Sequence, residues 1–173
     1  MFITLLILTY ATLLISICWF FKDFLMQIWV DVDTCPVEIK NILTSAVKCT
    51  GVSLTLITKR GHIPFPDSNI NLLELSADAY SIPDREMAVR SKVGDLVITD
   101  NLNLAVEVME KGARVMGYKG ETYTPDEIEE KKKVADFIET MRSIGAEIGN
   151  TPPLSPVEKQ SFISKLGNIL VNY

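Results

Sequence analysis

Met26–Lys40 reads MQIWVDVDTCPVEIK. Within it, Gln27–Asp31 (QIWVD) is a short apolar run ending in an acid, the pattern of a central parallel strand covered on both faces. Pro36–Cys49 follows with helical spacing: Ile39, Ile42, Leu43, Ala46 and Val47 recur on one side. Pro36 suits the first turn, and Asp33 and Thr34 are placed to cap it. Gly51 closes the helix, and Val52–Thr58 reads as the next strand. Strand, helix and strand in succession predict a parallel sheet.

The same alternation continues downstream. A loop carries Gly61, Pro64 and Pro66. Asn71–Ala77 has a weak strand pattern, and Pro83–Val93 reads as a helix. Asp95–Thr99 (DLVIT) is a strand, Leu102–Lys111 an amphipathic helix closed by Gly112, and Arg114–Gly117 a fifth strand. Thr124-Pro125-Asp126-Glu127 and Ser155-Pro156-Val157-Glu158 both have capping-box spacing with proline at the first helical position. They predict two C-terminal helices, one running to about Ile144 and one to about Leu170, joined by a turn-rich link at Gly149–Pro153. The expected fold is α/β: a doubly wound, mostly parallel sheet with two C-terminal helices, formed by residues 26–173 as one domain.

Of 173 residues, 47% are hydrophobic and 23% charged, and the net charge is −5. An acidic chain lacks the surplus of Lys and Arg needed for broad nucleic-acid grip, though it leaves room for a local basic patch that meets RNA. Three cysteines, Cys18, Cys35 and Cys49, are an odd, sparse set that fits a reducing, cytoplasmic setting better than a disulfide framework. With His62 the only histidine and no CxxC, the pattern argues against zinc.

Phe2–Phe21 (FITLLILTYATLLISICWFF) is uncharged and long enough to span a bilayer. It makes a poor cleavable signal, because no Lys or Arg precedes the apolar run. If real, it anchors the domain through a spacer, Lys22–Leu25, of at most about 14 Å. The favoured reading is a start assigned too early, with Met26 the true first residue and residues 1–25 outside the domain.

In open parallel sheets, sites form beyond the carboxyl ends of strands, where strand order reverses. Asp31 ends strand one, Asp33 lies two residues on, and Asp100 follows the DLVIT strand. If strands one and four are neighbours, these carboxylates converge, and Asp84 at the start of the preceding helix can join them. Asp95 begins the strand that Asp100 follows, so the two are about 16 Å apart. Carboxylates without histidine or thiolate suit a hard cation, Mg2+ or Mn2+, which activates water and neutralises charge on a phosphate. The ligand set expected is Asp31, Asp100 and Asp84, with Asp31, Asp33 and Asp100 doing the chemistry.

Plainer roles compete at several positions. Asp33 has a capping alternative. Asp31 has none, since a strand-terminal acid beside Trp29 and Val30 is costly to desolvate without a partner. Asp95 is read as a turn residue, Cys35 as a small buried residue rather than a nucleophile, and Lys131–Lys133 as a solvated face.

Met26–Lys40, Gly94–Ala105 (GDLVITDNLNLA), Glu110–Gly112, Lys119–Thr124 (KGETYT) and Met141–Gly145 (MRSIG) together resemble the YaiI/YqxD family of small bacterial proteins. The V-D-x-D-x-C-P motif is the specific part, and the resemblance covers nearly all of Met26–Leu166. It implies a PIN-like fold, whose members are typically metal-dependent ribonucleases with a carboxylate cluster. Relative to the family, Val32 and Thr34 replace two alanines, and Asn101 stands at an aspartate position with Asp100 one place earlier. Lys119 and Lys159 stand where the family has arginine, losing a planar phosphate fork. On this resemblance Lys119, Arg142 and Lys159 are the substrate-binding candidates.

Three functions follow. The first is a metal-dependent phosphodiesterase acting on RNA. The second is a catalytically degenerate module that binds RNA or protein, motivated by Asn101. The third is a phosphatase of the haloacid dehalogenase type, because Asp31-Val32-Asp33-Thr34 resembles its D-x-D-x-T loop. It would make Asp31 the nucleophile and Asp33 the general acid, but no lysine falls in a matching motif.

Overall fold

The computed structural model describes residues 26–59, 68–76, 82–145 and 153–172. The Phe2–Phe21 anchor reading, the loop with His62 and most of the Gly149–Pro153 link lie outside them. Five strands, β1 (Gln27–Asp31), β2 (Ser53–Thr58), β3 (Ile70–Glu74), β4 (Leu96–Ile98) and β5 (Arg114–Met116), form one sheet of order β3-β2-β1-β4-β5. The described strands pair in parallel, as expected, and Met116 of β5 also makes an isolated antiparallel bridge to Thr122. The helices are α1 (Val37–Thr50), α2 (Pro83–Arg90), α3 (Leu102–Glu110), α4 (Pro125–Ser143) and α5 (Pro156–Val171).

The alternation of side chains along the strands sorts the core into two layers. Ile28, Val30, Leu54, Leu56, Leu96 and Ile98 face α1 and α5, where Ile39, Leu43, Phe162 and Leu166 complete one buried cluster. Trp29, Ile57, Val97 and Val115 face the other way, onto Met87 of α2, Leu104 and Val108 of α3, and Ile128 of α4. Covering both faces makes the sheet doubly wound, and explains why β1 and β4 read as unbroken apolar runs. Phe162 is fully buried; a side chain of that kind contributes about 1.5–3 kcal/mol.

Both predicted capping boxes are formed. Thr124 and Ser155 each accept the N–H of the glutamate three residues on, and that glutamate reaches back to the cap. The start of α1 differs from expectation: Pro36 is itself the cap residue and no side chain caps the helix. Thr34 and Asp33 are engaged elsewhere, as described below. α2 ends at Arg90 rather than Val93, because Asp95 accepts the Lys92 N–H and the Lys92 carbonyl accepts the Asp95 N–H, forcing a turn. β3 begins one residue early, where Ile70 pairs with Leu54. Among the described residues no helix is long and apolar enough to cross a membrane.

Candidate functional site

β1 lies between β2 and β4, so the strand order reverses at the β1–β4 seam. Ile28, Trp29 and Val30 pair with Leu96, Val97 and Ile98, which brings the ends of the two strands, Asp31 and Thr99-Asp100, to the same edge.

Asp31 is only 6% exposed. One carboxylate oxygen accepts the Asp33 N–H at 2.8 Å and the other accepts the Thr34 hydroxyl at 3.0 Å. No Lys or Arg among the described residues forms an ion pair with it. Burial therefore raises its pKa above the ordinary range; those two donors oppose the shift, and the charges of Asp33 and Asp84 add to it. Asp84, in the first turn of α2, is near enough to act on Asp31, and it accepts the Asn101 side-chain amide at 2.6 Å.

Asp100 continues the β4–β5 ladder with its side chain. The Thr99 N–H reaches the Met116 carbonyl, and beyond it one Asp100 oxygen accepts the Tyr118 N–H at 2.8 Å. Gly117 makes room for this: a Cβ there would stand 2.8 Å from that oxygen and 2.5 Å from the Tyr123 hydroxyl. Asp100 also has a raised pKa, chiefly from desolvation. The residue as a whole is exposed, so the shift reflects protein packed around one side of the carboxyl rather than sequestration from water.

Asp33 performs the matching service on the opposite side of β1. The Val32 N–H reaches the Ile57 carbonyl, and beyond it the Asp33 carboxylate accepts the Lys59 N–H at 2.8 Å and the Thr58 hydroxyl at 3.1 Å. The structure thus turns the Asp33 carboxylate toward β2, sets Asp84 near enough to act on Asp31, and places Asp31 and Asp100 at the same edge of the sheet. Of the substrate-binding candidates, Lys119 lies near enough to Asp100 for the two charges to act on each other. Lys119 pairs with Glu158 at 2.9 Å and Lys159 with Glu38 at 3.3 Å, while Arg142 lies 4.0 Å from Glu139 near the end of α4.

Asp95 is buried and accepts the Gln27 N–H, the Trp29 indole N–H and the Lys92 N–H, so it ties the start of β1 to β4. Cys35 is buried and its thiol is pushed up to about 12 by burial, which leaves no thiolate for nucleophilic chemistry. Lys131 binds Glu121 at 2.8 Å and sits 5.1 Å from the centre of the Tyr123 ring; Lys133 pairs with Glu129. Sequence reasoning passed over Tyr118. Its signal was position: it follows the fifth strand at the same edge of the sheet.

The donor chemistry at the seam is all oxygen, which suits magnesium or manganese. Among the described residues no group of three or more His, Cys, Asp or Glu side chains converges tightly enough to cage an ion. Any ion there would be a hydrated one held by one or two carboxylates, the manner in which Mg2+ is often bound. Asp31 would be the principal ligand, with Asp100 or Asp84 beside it.

Fold and site define a class: a doubly wound α/β protein with an acidic edge at the reversal point of its sheet. The chain belongs to the family described as "Uncharacterized BCR, YaiI/YqxD family", whose sequence model matches residues 29–172. It is 40% identical over 146 residues to a UPF0178 protein of Aliivibrio fischeri (strain MJ11), covering 84% of this chain and 97% of that one. It is 40% identical over 145 residues to a UPF0178 protein of Halorhodospira halophila, covering 84% and 95%. No solved structure matches it.

Proposed function

We propose that this protein is a Mg2+- or Mn2+-dependent phosphodiesterase that cleaves RNA at the β1–β4 seam. The observation that carries the reading is Asp31: a carboxylate almost wholly withdrawn from water at the reversal point of the sheet, with the charges of Asp33 and Asp84 acting on it. Such a group is costly unless something positive binds it. A divalent ion bound there supplies a lowered pKa for its water and positive charge for a phosphate. The chain's own part is to hold Asp31 by the Asp33 N–H and Thr34 hydroxyl, and Asp100 by the Tyr118 N–H. The choice of RNA rests on the resemblance to PIN-like ribonucleases, an argument from fold.

The test is cleavage of an unstructured, end-labelled RNA by the full chain with Mg2+ or Mn2+, with and without chelator, beside Asp31→Asn. Cleavage abolished by both chelator and substitution supports the reading. Cleavage that survives Asp31→Asn removes it.

A second reading, a binding module without turnover, is favoured by Asn101. Its amide oxygen caps α3 by accepting the Asn103 and Leu104 N–H groups, and its amide nitrogen holds Asp84. Asn101 thus serves structure where the resembling family carries an acid. RNA retained but uncut in the same assay supports this reading. The phosphatase alternative needs Asp33 to act as a general acid, and its engagement with Thr58 and Lys59 argues against that role.

A further inference from the structure

Tyr118 touches both sides of the seam. Its N–H donates to Asp100 at 2.8 Å, and its phenol oxygen lies 3.2 Å from the Thr34 hydroxyl, which in turn lies 3.0 Å from Asp31. The direction of these bonds follows from the chemistry of the groups. An ionised Asp31 can only accept, so the single Thr34 proton is committed to it, and the phenol must donate to the Thr34 oxygen. The ring is held in place, because it packs against the core cluster that includes Cys35, Met116 and Phe162. Its backbone is held too. The Gly120 N–H reaches the Gly117 carbonyl at 3.0 Å, closing a turn in which the Tyr118 N–H is left to Asp100.

We infer that Tyr118 is a positioning residue of the site, fixing Asp31 through its phenol and Thr34, and fixing Asp100 through its backbone N–H. The inference deepens the phosphodiesterase reading and rests on it only for the purpose the two acids serve. In ordinary terms, Tyr118 locks the rotamer of Thr34, Thr34 holds the charged form of Asp31, and the rigid turn keeps Asp100 in register with it. Groups of this kind, one bond removed from the acting side chain, set the orientation and basicity of that side chain.

The test needs neither metal nor RNA. The carboxyl carbons of Asp31 and Asp100 are followed by NMR through a pH titration of the full chain, in wild type, Tyr118→Phe, Thr34→Val and Thr34→Ser. Tyr118→Phe removes only the phenol oxygen and leaves the N–H. The expected result is an upward shift of the Asp31 pKa with Asp100 titrating as in wild type. Thr34→Val removes the donor itself and shifts Asp31 further up, and Thr34→Ser restores it. Loosening of the turn as a whole would move both acids together, and that outcome, or no movement of Asp31 in Tyr118→Phe or Thr34→Val, overturns the inference. Manganese affinity read on the same samples separates the two proposals. If Asp31 shifts as expected but no ion binds to wild type, the positioning role stands and the metal-dependent reading fails.

Discussion

Gly120→Ala is the substitution whose consequence the structure specifies most fully. Gly120 has φ +77°, and a Cβ built there would stand 2.6 Å from the Phe162 nitrogen and 2.8 Å from the Phe162 Cα and the Ser161 carbonyl carbon. The atoms met are backbone of α5, so no side chain can swing aside. Two costs combine. An L-residue in the left-handed region costs about 1–2 kcal/mol, and forcing a methyl into packed structure costs about 1–3 kcal/mol. The sum, about 2–5 kcal/mol, is a large share of a typical domain stability of about 5–15 kcal/mol. Gly145 supplies the control: its φ is +88° and a Cβ there meets nothing within 4 Å. Gly145→Ala should carry the conformational cost alone. Urea unfolding of the two variants at constant slope isolates the contact with α5 as their difference, about 1–3 kcal/mol. Equal losses would refute the argument that the Gly117–Gly120 turn is pressed against α5.

Two further outcomes are expected. Asp95→Ala leaves the Gln27 N–H, the Trp29 indole N–H and the Lys92 N–H without their acceptor. Only the Trp29 bond is buried, so at about 1–3 kcal/mol for that orphan, with less from the two part-buried bonds, the substitution should cost at least about 1–3 kcal/mol, read by denaturant unfolding. Glu158 has a pKa lowered from 4.5 to about 2, first by the Ser155 N–H and then by the Lys119 ammonium. A depressed acid stabilises fully above its unfolded pKa, and that contribution is lost as pH falls from 4.5 toward about 2. Glu158→Gln should flatten that part of the stability–pH curve, and an unchanged acid limb would count against the cap and the Lys119 pair.

The sequence carried much of this fold for physical reasons that are local. QIWVD could be read as β1 because a strand covered on both faces must be apolar throughout, and both final helices announced themselves through capping boxes formed within four residues. The placing of Asp31 and Asp100 at one edge of the sheet was legible once β1 and β4 were taken as neighbours. The individual roles were not. Asp33 is decided by Thr58 and Lys59, and Asp100 by Tyr118, partners that lie far along the chain and become adjacent only through the sheet. The same limit hid Thr34. It looked like a helix cap by its position, yet a carboxylate three residues earlier and a phenol eighty-four residues later hold it more effectively. Lys119 and Lys159 are phosphate-binding candidates by resemblance, and acids on α5 and α1 engage them.

The proposed function requires the acidic edge to receive one divalent cation, and Mn2+ titration tests this most directly. Isothermal calorimetry on the full chain, with Asp31→Asn alongside, should show a single saturable ion for wild type and none for the variant. Binding that persists undiminished in Asp31→Asn, or no binding to wild type at millimolar Mn2+, would contradict the account.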